Sequence, residues 1–178
     1  FYDALTRLAR GAPAGEAAGP WRAVVDEHLA KLTAWAALCP ANLAQRELLV
    51  RAELARHEGR LDDAAELYDK AIEAAAAADG RVHDHALAHE LAGAHHAARG
   101  RRGVAWAYLS RARRLYAQWG ADRKVAALDQ RWPGLQEGGA AGGATLAGLD
   151  LAAALRASQA LSGEIVLARL LRTLMTTM

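Results

Sequence analysis

Cysteine is almost missing: Cys39 is the only one in 178 residues, so no disulfide can close within the chain. A reducing compartment is the simplest setting for such a chain, and the expected localisation is cytoplasmic. Phenylalanine occurs once and proline four times, and Val, Ile and Thr are sparse beside alanine. Strands favour β-branched and aromatic residues, whereas alanine is the strongest helix former, so this shortage argues against a sheet and for helix throughout. No uninterrupted apolar run approaches the ~20 residues of a membrane span, so no membrane partner is expected. Neither charge is in large excess: 22 basic and 20 acidic residues leave a formal +2, which implies no obligatory polyanionic partner.

What is present is alanine at helical spacing. With 53% hydrophobic residues the chain can bury one core, with room for an appendage. Residues Phe1 to Arg10 read as a helical remnant, closed by the loop Gly11-Ala12-Pro13-Ala14-Gly15. Pro20 suits the first turn of a helix expected from Trp21 to Leu38, with Val24, Val25, His28, Leu29, Leu32 and Trp35/Ala36 on one stripe. Cys39-Pro40 ends it, because the residue before proline is pushed out of the helical region. Helices are then expected over Asn42 to His57, Leu61 to about Gly80, Val82 to Arg99, Arg102 to Trp119 and Ala121 to Trp132.

The middle four form two hairpins in register. Gly59 and Gly100 lie 41 residues apart, within the range of helical-hairpin repeats. Five residues after each comes Ala64 or Ala105, nine after comes Tyr68 or Leu109, and twelve after comes Ala71 or Ala112. Gly93 and Ala52 take matching places in the first helix of each hairpin. Small residues let two helices approach closely while the larger one fills the groove between them, and the pattern resembles the tetratricopeptide signature. The expected fold is all-α: a right-handed stack of antiparallel hairpins over 16–133, after the remnant and loop at 1–15. A flexible Gly/Ala linker follows at 134–148, with five glycines between Gln136 and Gly148. A signalling helix over 149–178 carries Leu151, Leu155, Ile165, Leu167, Leu170, Leu171 and Leu174, an apolar stripe expected to pair with a second copy as a homodimer. The chain begins at Phe1 without methionine and stops at Met178 inside that apolar pattern, so it is expected to be a piece of a longer protein.

Several stretches together resemble one class of large bacterial signalling proteins. They are Cys39-Pro40, the run Ala64 to Ile72, the run Ala86 to Ala92, Tyr116 with Trp119-Gly120-Ala121, and Leu149-Asp150-Leu151 through Ala157 to Leu167. In that class a serine/threonine-kinase-like domain and a STAND-type AAA ATPase come first. A tetratricopeptide-like region follows, then a GAF sensor and a histidine-kinase core. The resemblance implies a module between a nucleotide switch and a two-component output, with residues 149–178 leading into a GAF domain. It carries over no catalytic residue, because neither a Gly-x-x-x-x-Gly-Lys-Ser/Thr loop nor a phosphoacceptor histidine motif is present. The expected function is therefore a non-enzymatic interaction and coupling module without cofactors, taking a peptide or another domain of the same chain. The alternative is the sensor repeat of a STAND-type transcriptional regulator, although no helix-turn-helix is visible and no nucleic acid is expected.

Other side chains invite chemistry and are weighed against plainer roles. His85, His89 and His96 fall within roughly 40° on an ideal helix, and an i, i+4 histidine pair can chelate zinc or nickel. His89 and His96 also fall where the repeat packs on its partner helix, so packing is preferred and no metal is expected. Arg99, Arg101, Arg102, Arg111, Arg113, Arg114, Arg123 and Lys124 are spread around two helices, as a solvated surface would be. Glu53, Glu58, Asp62, Asp63 and Glu66 cluster near a turn and a helix start, where acids favour the helix dipole over acid/base work. Cys39 reads as a small buried hydrophobe, and Trp21, Trp35, Trp106, Trp119 and Trp132 read as packing residues.

Overall fold

A computed structural model describes residues 1–11, 18–78 and 80–135, and the expected linker and signalling helix, with Leu151 to Leu174, lie outside these. The described residues form seven helices: α1 (Tyr2–Arg10), α2 (Ala18–Leu38), α3 (Pro40–His57), α4 (Leu61–Ala77), α5 (Val82–Ala98), α6 (Arg102–Gln118) and α7 (Asp122–Arg131). Among these residues no helix is long and apolar enough to cross a membrane.

The turns come directly from glycine. After α3, Gly59 adopts φ +77°, its N–H reaches Arg56 O at 3.2 Å, and Arg60 N–H reaches Ala55 O at 2.9 Å. The same pair of bonds recurs after α5 at Gly100 (φ +72°) and after α6 at Gly120 (φ +77°). This left-handed cap satisfies carbonyls that a helix end would leave open, and a residue with a Cβ resists the conformation. Pro40 opens α3 at its first position, two residues earlier than Asn42, because a proline there removes only a backbone donor that would have no partner anyway.

Successive helices pack as antiparallel pairs, α3 with α4 and α5 with α6, and α2 lies on α3 much as α4 lies on α5. The core is a chain of three clusters. Ala4, Leu8, Trp21, Val25, Leu32, Val50 and Leu54 join α1, α2 and α3. Leu49, Ala52, Ala55, Ala64, Tyr68, Ala71, Ala88 and Ala92 join α3, α4 and α5. Ala86, Leu109, Ala112, Leu115, Tyr116, Leu128 and Leu135 join α5, α6 and α7. A buried methyl contributes roughly 0.8 kcal/mol, so the alanines act mainly by letting helix axes close. Phe1 to Arg10 is more than a remnant: Ala4 and Leu8 are fully buried, and α1 belongs to one compact unit running from Phe1 to Leu135.

The tryptophans divide. Trp21 is buried and Trp106 and Trp132 are half-buried, but Trp35 and Trp119 are more than half exposed, contrary to the expected packing role. On α2 the small Ala36 takes the core position beside Trp35. Trp119 lies past the end of α6, its ring resting on His83 at 5.1 Å.

Candidate functional site

Ala52, Ala64, Tyr68, Ala71, Ala105, Leu109 and Ala112 are buried, Gly59 and Gly100 make the turns, and Gly93 is buried in α5. A Cβ on Gly93 would stand 2.6 Å from Leu109 Cγ and 3.2 Å from the Ala105 carbonyl oxygen. The absence of a side chain there is what lets α5 meet α6.

That packing leaves a groove lined by α1, α3, α5 and the end of α7. It holds two depressions of about 310 and 250 Å³ that share Ala9, Glu53 and Leu91. Its apolar lining is Leu5, Leu87, Leu91 and Ala94, with Arg56, His95 and Arg131 towards one end and Tyr2 and Thr6 towards the other. Its floor is fixed by a buried polar network. Glu53, only 3% exposed, accepts hydrogen bonds from Tyr68 Oη and from Arg56 Nε and Nη2, the last at 2.7 Å. Burial and the adjacent Glu53 charge both push the Tyr68 phenol up, so it stays a donor at every ordinary pH. Burial works against the Arg56 charge, but Glu53 more than offsets it and raises the guanidinium's pKa. Glu53 therefore departs from its expected place in an acidic cluster at a turn and a helix start: it is buried within α3, about three and a half turns from that helix's start. Asp62 and Asp63 do occupy the first turn of α4.

A second network fastens one hairpin to the next. Asp84, also 3% exposed, accepts from Gln45 Nε2 at 3.2 Å and Arg46 Nε at 3.1 Å, both on α3. Arg99 reaches Asp62 at 2.7 Å, and Tyr108 Oη donates to Asp69 on α4. Burial, then the Asp69 carboxylate, push the Tyr108 phenol up to about 12.

The histidines on α5 form a ladder of rings. His85 and His89 meet through their Nε2 atoms at 3.1 Å, and His96 stacks on Tyr108 with an 8° interplanar angle and centroids 5.4 Å apart. His95 lies edge-on to His96 and 5.3 Å from Tyr68. Burial is the leading cause holding all four below the ordinary imidazole pKa, and His89, next to His85, Arg111 and Arg114, falls to about 4. Neutral rings explain the His85–His89 contact as one nitrogen donating to the other. His96 turns to Tyr108 instead of joining the pair, and no group of three metal-binding side chains gathers among the described residues. The basic run is partly consumed: Arg113 pairs with Asp129 at 2.7 Å and Lys124 with Glu90 at 2.8 Å. Cys39 is half-buried, with its sulfur 3.0 Å from Asn42 Nδ2.

The arrangement defines an all-α unit of successive helix pairs with a groove between α1, α3, α5 and α7. Compared with family models, curated proteins and solved structures, the chain matches none.

Proposed function

We propose that the chain is a non-catalytic interaction and coupling module: a tetratricopeptide-like, right-handed stack whose groove receives a peptide or another domain of the same polypeptide. The observation that carries this reading is the groove floor, where Leu5, Leu87 and Leu91 present apolar surface around a Glu53–Arg56–Tyr68 network locked in place. A preformed apolar trough with a few fixed polar groups is how rigid scaffolds bind extended chains at low entropic cost. The most buried carboxylates, Glu53 and Asp84, each pair with an arginine and accept a bond from another helix, Glu53 from Tyr68 on α4 and Asp84 from Arg46 on α3, unlike a carboxylate poised for proton transfer. Its resemblance to bacterial kinase–ATPase–GAF proteins supports a place between an upstream nucleotide switch and a downstream histidine-kinase output.

The test is photo-crosslinking in the parent polypeptide with a benzophenone side chain at position 91. A discrete product mapping to one segment, and lost on Ala94→Arg, is expected. The same product from a probe at the exposed Arg111 position of α6, or none from position 91, would overturn the reading.

A further inference from the structure

Outside the groove, α7 creates a second concavity by being short. It has 10 residues where α5 and α6 have 17, and it ends at Trp132-Pro133-Gly134, the last with φ +96°. The space beside the α5–α6 turn is left as a cleft of about 480 Å³, within the range of small-ligand sites. Its walls are Ala97, Ala105, Trp106, Trp132 and Pro133, and its rim carries Arg102 and Arg131. The two indoles meet edge to face, 6.3 Å between centroids at 85°, so each presents a different surface to the cleft. The Arg131 guanidinium sits 5.5 Å over the Trp132 ring, which restricts its position while leaving its N–H groups free to donate.

Charge in the cleft is one-sided. No carboxylate lies within 4 Å of Arg102 or Arg131 among the described residues, whereas Arg113 and Arg99 nearby are both paired. Among the described residues no acidic side chain lines the cleft. Two exposed tryptophans elsewhere rest on the surface, but these two line a depression that also holds guanidinium groups with no carboxylate partner among the described residues. We propose that this cleft binds a carboxylate carried on an apolar body, its charge taken by Arg102 and Arg131 and its apolar part by Trp106 and Trp132. The lining is too apolar, and its donors too few, for a bare multivalent anion; one charge on a hydrophobic ligand matches it. Two sources share that chemistry: the C-terminus of a chain ending on an apolar residue, and a free branched acid. The cleft shares Arg131 with one end of the groove, but Arg102, Trp106 and Trp132 line the cleft alone, so the inference does not rest on the groove's ligand.

The test follows indole N–H resonances of the whole 178-residue chain, assigned with Trp106→Phe and Trp132→Phe. The probes are N-acetyl-alanyl-leucine, its C-terminal amide, 4-methylpentanoate and inorganic phosphate. N-acetyl-alanyl-leucine is expected to shift the Trp106 and Trp132 signals saturably, with the amide at least about tenfold weaker, as loss of a charged hydrogen-bond partner implies. Arg131→Gln and Arg102→Gln, both at exposed positions, should each weaken it about tenfold with an unchanged helical circular dichroism spectrum. A matching response to 4-methylpentanoate assigns the site to free acids, and a peptide-only response assigns it to chain termini. Equal shifts by acid and amide, phosphate binding as well as the peptide, or shifts confined to Trp35 and Trp119 would each overturn the proposal.

Discussion

The two hairpins share a turn and nearly a length, yet they are held together differently. In α3/α4 the interior pair is Ala52 and Tyr68, and in α5/α6 it is Gly93 and Leu109. A flat ring can slide past a methyl group. A branched Leu109 brings Cγ to where any Cβ on residue 93 would stand, so the second hairpin requires glycine. The first hairpin also gains a hydroxyl that reaches Glu53, which Leu109 cannot supply. One hairpin is specified by polar geometry and the other by the shape of a close contact.

The sharpest way to break this contrast is Gly93→Val. It should lower the unfolding free energy by about 3 kcal/mol, read as a fall in denaturant midpoint at constant slope. Ala52→Gly at the matching site should cost only about 1 kcal/mol. Combining Gly93→Ala with Leu109→Ala should cost less than the sum of the single changes, because the second removes the atoms that the first strikes. Equal losses at positions 52 and 93 would erase the distinction.

The polar side of the contrast is tested next. Arg56→Ala should cost about 2–3 kcal/mol by leaving the buried Glu53 charge with only Tyr68, and Tyr68→Phe about 1 kcal/mol. Double-mutant coupling between positions 56 and 68 near zero would show that the network is not one unit.

The smallest expected effect concerns the imidazoles of α5. The folded pKa of His89 lies below its unfolded value, so the unfolded chain binds more protons between about pH 6.5 and 4. Stability is then full above pH 6.5 and lost as pH falls towards 4. Allowing for the partial exposure of His89, the loss between pH 7.5 and 5 should be about 1–2 kcal/mol. Thermal melts of His89→Gln should show a flatter pH dependence over that window. A slope unchanged by the substitution would remove His89 as its source.

How much of this was legible in the sequence depends on distance along the chain. Helix identity, the glycine turns and the small-residue positions are local or set by the 41-residue repeat, and spacing alone revealed them. Gly120 falls between the helices expected to end at Trp119 and to start at Ala121, and its turn joins the second hairpin to α7. Glu53 could not be separated from neighbouring acids because its burial depends on Tyr68, 15 residues on. Asp84 finds its partners at Gln45 and Arg46, 39 and 38 residues back, where no local pattern points. The tryptophan–arginine cleft was hidden for the same reason: Arg102 and Trp106 meet Arg131 and Trp132 only because α7 stops short. Trp35 and Trp119 misled because a large ring at helical spacing reads as core even when a smaller neighbour or a helix end takes its place.

Asp84 and Arg99 stand near opposite ends of α5, about 22 Å apart at 1.5 Å per residue, and each ties that helix back to the preceding hairpin. A joint pinned at two separated points resists swivelling about either. The two pins are unequal, since the Asp84 knot is sealed from water while Asp62, the anchor for Arg99, is 87% exposed at its side chain. Strain across this seam would thus lift the Arg99 end first, and raised salt would loosen that end while leaving the other shut.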